Sequence, residues 1–128
     1  MTTMEDTDFR QREQETARYL AQISPLDNNS VCELADKALN DNDPLMRSIC
    51  FDIIGMLGEQ ASPALPALVH TLRDGETALR IAAARALRNI APIAQLCRPA
   101  LIQALSDTSQ KVRIYASEAL ERLSPQMG

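Results

Sequence analysis

The side chains of this sequence that could catalyse a reaction assemble no known catalytic motif. The serine elbow G-x-S-x-G, the phosphate loop G-x-x-x-x-G-K-[ST] and the dinucleotide motif G-x-G-x-x-G are all absent. Glu118 and Glu121 lie close together on a predicted helix, but acid pairs on a surface helix are usually solvated. The sequence therefore predicts a protein that is not an enzyme and that holds no cofactor.

The histidine and the cysteines also lack the spacing of a metal site. His70 is the single histidine, and we predict that it stands alone on a solvated surface. The sequence has an odd number of cysteines, and no two of them have C-x-x-C spacing. They are Cys32, Cys50 and Cys97. We predict three small buried side chains in a reducing compartment, although a helix that begins near Cys97 leaves that thiol open to exposure.

Arginines recur at a fixed interval and reveal an internal repeat. Arg47, Arg80 and Arg113 are each 33 residues apart, and the segments around them align without a gap. An aspartate precedes each arginine by six residues, and apolar residues occupy the other matching columns. These columns are Leu39, Leu72 and Leu105; Asp41, Asp74 and Asp107; Met46, Leu79 and Val112; Ile54, Leu87 and Leu120; Leu57, Ile90 and Leu123. The chain therefore contains three copies of one structural unit.

Each unit has the pattern of two helices joined by a short polar turn. Apolar residues recur around each arginine with the helical period, and a shorter apolar stretch before each aspartate predicts the partner helix. Asp43 followed by Pro44 is typical of a helix start, with the aspartate as N-cap. Further predicted boundary signals are a capping box over Ser30–Glu33, a helix start at Ser62 and Pro63, and breaks at Gly58 and Pro92.

The second unit, LGEQASPALPALVHTLRDGETALRIAAARALRNIA, resembles the short HEAT-like repeat named after phycobilisome lyases. The PAL element of that repeat stands at Pro66-Ala67-Leu68 and Pro99-Ala100-Leu101, and its VR element at Leu79-Arg80 and Val112-Arg113. The first unit departs from the pattern, with Glu33-Leu34-Ala35 in place of PAL. The signature segments of ankyrin and tetratricopeptide repeats are absent.

The resemblance covers about residues 30–124 and implies an all-α fold, an α-α superhelix forming a right-handed α-solenoid. We expect one domain over 1–128, with repeats over 30–58, 62–91 and 95–124. Apolar residues at helical spacing between Phe9 and Ile23 predict an N-terminal cap helix over 5–24, with an acidic docking arm as the alternative.

The last unit is predicted to form the other cap. The columns that should face a following unit turn polar in it, so we expect the solenoid to be complete. These columns are Phe51, Ala84 and Ser117, and Gly55, Arg88 and Glu121.

The resemblance also implies roles for the charged columns. Asp41, Asp74 and Asp107 would form a hydrogen-bonded ladder with Arg47, Arg80 and Arg113, which would serve as scaffold. The second helices would line a concave surface, the side on which such solenoids bind partners. The residues predicted to project there are Ile49, Asp52, Met56, Ala82, Arg85, Asn89, Tyr115, Glu118 and Arg122, with Arg88 at the margin.

Tyrosine and arginine on this surface favour a binding role, because these residue types dominate interface hot spots. Asp52, Arg85 and Glu118 form a row of alternating charge, which would select a partner of complementary pattern. An ordinary solvated surface of mixed charge is the alternative.

The overall charge narrows the range of partners. The formal net charge is −4 and the isoelectric point is near 4.9, which argues against nucleic acid and anionic membranes. No stretch reaches the roughly 18 apolar residues of a membrane span, and the polar N-terminus does not resemble a secretory signal. We therefore expect a cytoplasmic protein, monomeric or weakly homodimeric.

The resulting hypothesis is a scaffold or adaptor that binds another protein on its concave face. One alternative is an accessory subunit or chaperone-like relative of bilin lyases, which the family resemblance suggests. A DNA-binding solenoid is disfavoured, because Asp52, Glu118 and Glu121 oppose the arginines of the surface. Self-association through Phe51, Tyr115 or an imperfectly capped end is the remaining alternative.

Overall fold

A computed structural model of the protein describes residues 14, 18, 28–90 and 95–123. The predicted cap helix over 5–24 lies outside these residues, except for Gln14 and Arg18, which are helical. Pro92, predicted as a break between units, also lies outside them.

Six α-helices follow one another in the described part of the chain, and it contains no strand. They are α1 (Asn28–Asn40), α2 (Pro44–Met56), α3 (Leu65–Asp74), α4 (Thr77–Asn89), α5 (Arg98–Ala104) and α6 (Gln110–Arg122), with a 3-10 helix at Gly58–Ala64. Successive helices pack as the pairs α1–α2, α3–α4 and α5–α6. The second helices α2, α4 and α6 form one row, and the first helices form another. The predicted all-α repeat solenoid is confirmed.

The turns inside the first and third pairs have the same construction. Asp43 caps α2 by accepting a hydrogen bond from the Leu45 N–H at 3.0 Å, and Pro44 begins the helix, as predicted. Asp41 Oδ1 accepts from the Asp43 N–H at 2.9 Å. In the third pair, Asp107 Oδ1 accepts from the Ser109 N–H at the same distance. The aspartate column therefore shapes the turn as well as providing charge.

Two predicted helix starts are wrong. α1 begins at Asn28, so Ser30 has helical backbone and cannot act as the N-cap of a capping box. Ser62 and Pro63 lie inside the 3-10 helix, and α3 begins only at Leu65. Gly58 does break the chain between units, because it adopts a positive φ of 59° that favours glycine.

Among the described residues, the fully buried core consists of aliphatic side chains, the thiols of Cys50 and Cys97, and one aromatic ring, Phe51 on α2. Small residues set how closely the second helices approach. A Cβ added at Gly55 would lie 3.1 Å from Ala86 Cα, so α2 and α4 nearly touch at this point. Ala83 and Ala84 are also fully buried on α4. Close packing of this kind holds the second helices in a fixed row.

Candidate functional site

The aspartate–arginine ladder is formed at the junction between the α3–α4 and α5–α6 pairs, called here the second junction. Arg80 Nε donates to Asp107 Oδ2 at 3.0 Å and Nη2 donates to Oδ1 at 3.2 Å, with both side chains largely buried. Burial alone would raise the pKa of Asp107. Hydrogen bonds from Arg80 and the Ser109 N–H, with the charges of Arg80 and Arg113, outweigh it and lower the pKa. This predicted pair is confirmed.

The equivalent pair is missing at the first junction, between α1–α2 and α3–α4. Arg47 Nη2 lies 3.5 Å from Glu76 Oε1 instead of pairing with Asp74, and Arg47 Nε is buried without a hydrogen-bond partner. α3 continues through Asp74, whereas Asp107 lies beyond the end of α5. The additional helical residues direct the Asp74 carboxylate along its own helix, so the predicted Asp74–Arg47 pair is wrong.

Asp74 contacts His70 instead. His70 Nδ1 lies 3.5 Å from Asp74 Oδ2, one helical turn away, and both side chains are exposed. The prediction that His70 is solvated is confirmed, but the prediction that it stands alone is wrong. The i, i+4 spacing of the two residues on a helix was the signal that could have revealed the contact.

Most of the predicted binding residues lie together on exposed or half-exposed parts of α2, α4 and α6. We call this surface the second-helix face. It consists of Asp52, Met56, Arg85, Arg88, Asn89, Tyr115, Glu118 and Arg122. Ile49 and Ala82 do not belong to it, because both side chains are buried in the core. Tyr115 occupies the same column and is half-exposed, so this column reaches the surface only in the third unit.

The charges of the second-helix face pair with one another across the junctions. Arg85 Nη2 lies 2.6 Å from Asp52 Oδ1 at the first junction. Arg88 Nη1 lies 3.0 Å from Glu118 Oε2 at the second junction. Asp52 and Arg85 occupy the same column of adjacent units, so their opposite charges meet when the helices stack. The alternating row is therefore internally neutralised, which sequence reasoning missed.

Arg88 lies at the centre of a connected group of side chains on this surface. Its guanidinium carbon lies 4.8 Å from the centroid of the Tyr115 ring, a cation–π arrangement. Its Nε donates to Asn89 Oδ1 at 3.3 Å, and its carbonyl accepts from Arg122 Nη1 at 3.3 Å. With Glu118, these contacts fix the planes of an arginine and a tyrosine before any partner arrives. Met56, Asn89 and Arg122 are exposed members of the second-helix face.

The cysteines divide into two classes. Cys50 and Cys97 are buried, as predicted, and burial raises the pKa of Cys50 to about 11 and raises that of Cys97 as well. Both thiols therefore carry little reactive thiolate near neutral pH. Cys32 is exposed, so its predicted burial is wrong. It lies on the side of α1 away from Val31 and Leu34, which are buried.

Residues 28–90 and 95–123 contain no group of three or more histidine, cysteine, aspartate or glutamate residues arranged to hold a metal ion. A membrane span would need a longer and more apolar helix than any that the structure describes.

Two repeat families match the sequence. Residues 60–91 match the Armadillo/beta-catenin-like repeat, and residues 97–127 match the HEAT repeat. These segments contain the α3–α4 and α5–α6 pairs. Repeats of both kinds are generally scaffolds for protein interaction. No curated protein matches the chain. Neither match is to the lyase-type repeat, so that relation stays a prediction.

Proposed function

We propose that this HEAT-like repeat protein is a non-catalytic adaptor that binds another protein through its second-helix face. The single observation that carries the proposal is the ordered group around Arg88. Arginine and tyrosine contribute most to binding when their side chains are held in place before the partner arrives. Here Arg88 is stacked on Tyr115 and joined to Glu118, so docking would cost little side-chain entropy.

The exposed rim of the face supplies groups that a partner can contact. Arg122 donates one hydrogen bond, to the Arg88 carbonyl, and is otherwise exposed, so its guanidinium is open to a carboxylate. Met56 offers an adaptable apolar surface near the other end of the row. A partner with an acidic group at one end of its contact surface and an apolar side chain toward the other end would match this arrangement.

The same pairs argue against nucleic acid as the partner. Asp52 neutralises Arg85 and Glu118 neutralises Arg88, so the row does not form the continuous basic stripe that phosphate backbones require. Any partner must therefore be recognised by shape and individual contacts, as proteins are.

Affinity capture from native lysate, read by mass spectrometry, tests the proposal. We expect Tyr115→Ala and Arg122→Glu to lose the same protein, because each removes a group that the second-helix face presents to the partner. The matched control is Arg73→Glu, an equal charge reversal on the exposed side of α3. Circular dichroism should show unchanged helicity in all three variants. Equal recovery of every bound protein by the wild type and both face variants would contradict the proposal.

A further inference from the structure

The outer side of the α5–α6 pair, the last pair of the described stack, carries large exposed apolar side chains. Ile102, Leu105 and Ile114 are 52%, 41% and 46% exposed. Arg113 lines the same groove as Ile114. We call this surface the end face, and it comprises Ile102, Leu105, Arg113 and Ile114. Three large apolar side chains beside one arginine are the composition of an interface rather than of a solvated surface.

The capping predicted for this unit is therefore partial. Ser117 and Glu121 are exposed and polar, as the pattern predicts, but they occupy only the part of α6 farther from the turn. Arg113 and Ile114 lie nearer the turn and repeat the chemistry of an internal junction.

One unit earlier, the equivalent surface is covered by the next pair of helices. Its members are Val69, Leu72, Arg80 and Ile81. The three apolar members are buried or half-buried against the core, and Leu72 is only 3% exposed. At this contact, Leu72 lies beside Ala100 and Ala104 of α5 and beside Asp107. The second junction therefore shows what kind of surface fits a face of this composition.

Arg113 resembles Arg80 without its partner. Each arginine donates from Nη1 to a carbonyl of its own turn, Arg80 to Gly75 at 2.9 Å and Arg113 to Asp107 at 2.7 Å. Arg80 then binds the carboxylate of Asp107 through Nε and Nη2. No carboxylate of the described residues forms an ion pair with Arg113. The end face therefore presents an arginine whose equivalent binds a carboxylate through two hydrogen bonds.

The residues that cover Leu72 and Arg80 have a simple spacing. Ala100 and Ala104 lie one helical turn apart on α5, and Asp107 follows Ala104 by three residues. The two alanines allow the backbone of α5 to approach α3 closely, and the aspartate supplies the carboxylate for the arginine. We call this spacing the α5 pattern: a small residue, a second small residue four positions later, and an acidic residue three positions after that.

We infer that the end face binds a helix of another protein that carries the α5 pattern. The acidic residue of that helix pairs with Arg113, and its small residues pack on Leu105 and Ile114. Binding would cover apolar surface that is now exposed to water and would give Arg113 the carboxylate that Arg80 already has.

The described part of a second copy of this chain offers no such helix. Ala100 and Ala104 are buried inside their own chain, and the equivalent positions of α1, Leu34 and Ala38, are fully buried as well. A two-fold contact between end faces would bring two Arg113 side chains together, which like-charge repulsion opposes. These contacts favour a different protein as the occupant.

The end face and the second-helix face have no residue in common, so the inference does not depend on the proposed function. A chain that uses both surfaces would hold two partners at once, one along the row of second helices and one against the α5–α6 pair.

Selection from a phage-displayed library of helical peptides, with the full chain as the target, tests the inference. We expect the enriched peptides to carry the α5 pattern, with aspartate or glutamate at its last position. Fluorescence anisotropy of a labelled synthetic peptide then measures affinity. Arg113→Asp should weaken binding about thirtyfold or more by removing a charge-assisted pair and adding repulsion. Replacing the acidic residue of the peptide by lysine should have the same effect on the wild type and should restore binding to Arg113→Asp.

The matched control is Lys111→Asp, an equal charge change at an exposed position of the same helix, which should bind the peptide like the wild type. Ile114→Asn provides a second test that leaves Arg113 intact, and it should also weaken binding. Thermal unfolding should show that each variant is folded.

Three results would overturn the inference. The first is a selection in which no enriched peptide depends on Arg113 and Ile114, including one in which every peptide is lost with Tyr115→Ala and therefore binds the second-helix face. The second is a set of dependent peptides without an acidic residue. The third is self-association of the wild type that Ile114→Asn abolishes, measured by sedimentation equilibrium, which would assign the end face to a second copy.

Discussion

Both junctions of the solenoid join the second helices of adjacent pairs, but different side chains meet at each one. At the first junction, the fully buried ring of Phe51 stands where the second junction has Ala84. The first junction also has a loosely paired arginine, Arg47, whose Nε has no partner. The second junction has the two-bonded Arg80–Asp107 pair. Each junction also has one ion pair on the second-helix face, so the contrast lies in the large buried ring at the first junction and the two-bonded ladder pair at the second.

A repeat can therefore keep its spacing while the contacts at its junctions differ. Phe51 and Ala84 occupy the same column and differ greatly in side-chain volume, yet both are completely buried. Stacking requires that each junction pack closely enough to exclude water. Either a large ring or a set of hydrogen bonds can provide most of the stability, and the two junctions should respond differently to mutation.

The largest effect is expected from Phe51→Ala, which should lower the free energy of unfolding by about 3–5 kcal/mol. The variant loses the transfer free energy of the ring and leaves a cavity between α2 and α4. Urea unfolding followed by circular dichroism measures the change. Leu45→Ala is the control, because Leu45 is half-exposed on the same helix and should cost far less. A loss of less than about 1 kcal/mol in Phe51→Ala would contradict an apolar first junction.

Replacing the two ladder arginines by methionine compares the junctions directly. Arg80→Met should cost about 2 kcal/mol, because it leaves the largely buried Asp107 carboxylate without its charged donor. Arg47→Met should cost less than about 1 kcal/mol, because it removes one long contact to the exposed Glu76 and an unsatisfied buried N–H. Urea unfolding of both variants provides the measurement. Equal losses of unfolding free energy would mean that the different pairing of Arg47 and Arg80 does not affect stability.

The dependence of stability on pH should be a property of the second junction. The pKa of Asp107 is lowered from the ordinary value of 3.8 by its hydrogen bonds and neighbouring charges, against the effect of burial. A lowered folded-state pKa means that the unfolded state binds the proton more readily. The stabilisation is therefore fully present above the unfolded pKa and is lost as the pH falls through the folded pKa.

The difference in unfolding free energy between the wild type and Asp107→Asn should consequently be constant near neutral pH and decrease on acidification below about pH 4. Asp74→Asn is the matched control, since Asp74 does not enter the ladder. Urea unfolding at several pH values provides the test. A difference that is independent of pH down to pH 2 would show that the Arg80–Asp107 pair does not depend on the charge of Asp107.

The faces of the helices could be predicted from the sequence, but the helix ends could not. Burial of Leu68, Leu87 and Leu101 follows from the helical period, because period alone determines which side of a helix is apolar. The residue that Asp74 contacts depends on whether α3 ends before or after it. This is a difference of a few residues, which similar turn sequences do not determine. The missed pairing of Asp52 with Arg85 required knowing that equal columns of neighbouring units stand side by side.

Thiol labelling can test the opening of each outer unit separately, because each of these units contains one buried cysteine. Cys50 lies on α2 and Cys97 precedes α5, and both are buried with raised pKa values, so each should react only when its unit opens. In the native protein at pH 8, exposed Cys32 should react first with iodoacetamide, with mass spectrometry locating each label. Phe51→Ala should accelerate labelling of Cys50, whereas Arg80→Met should accelerate that of Cys97. If both variants accelerate the labelling of the two buried thiols equally, the junctions open together as one cooperative unit. Their different contacts then do not give them different local stabilities.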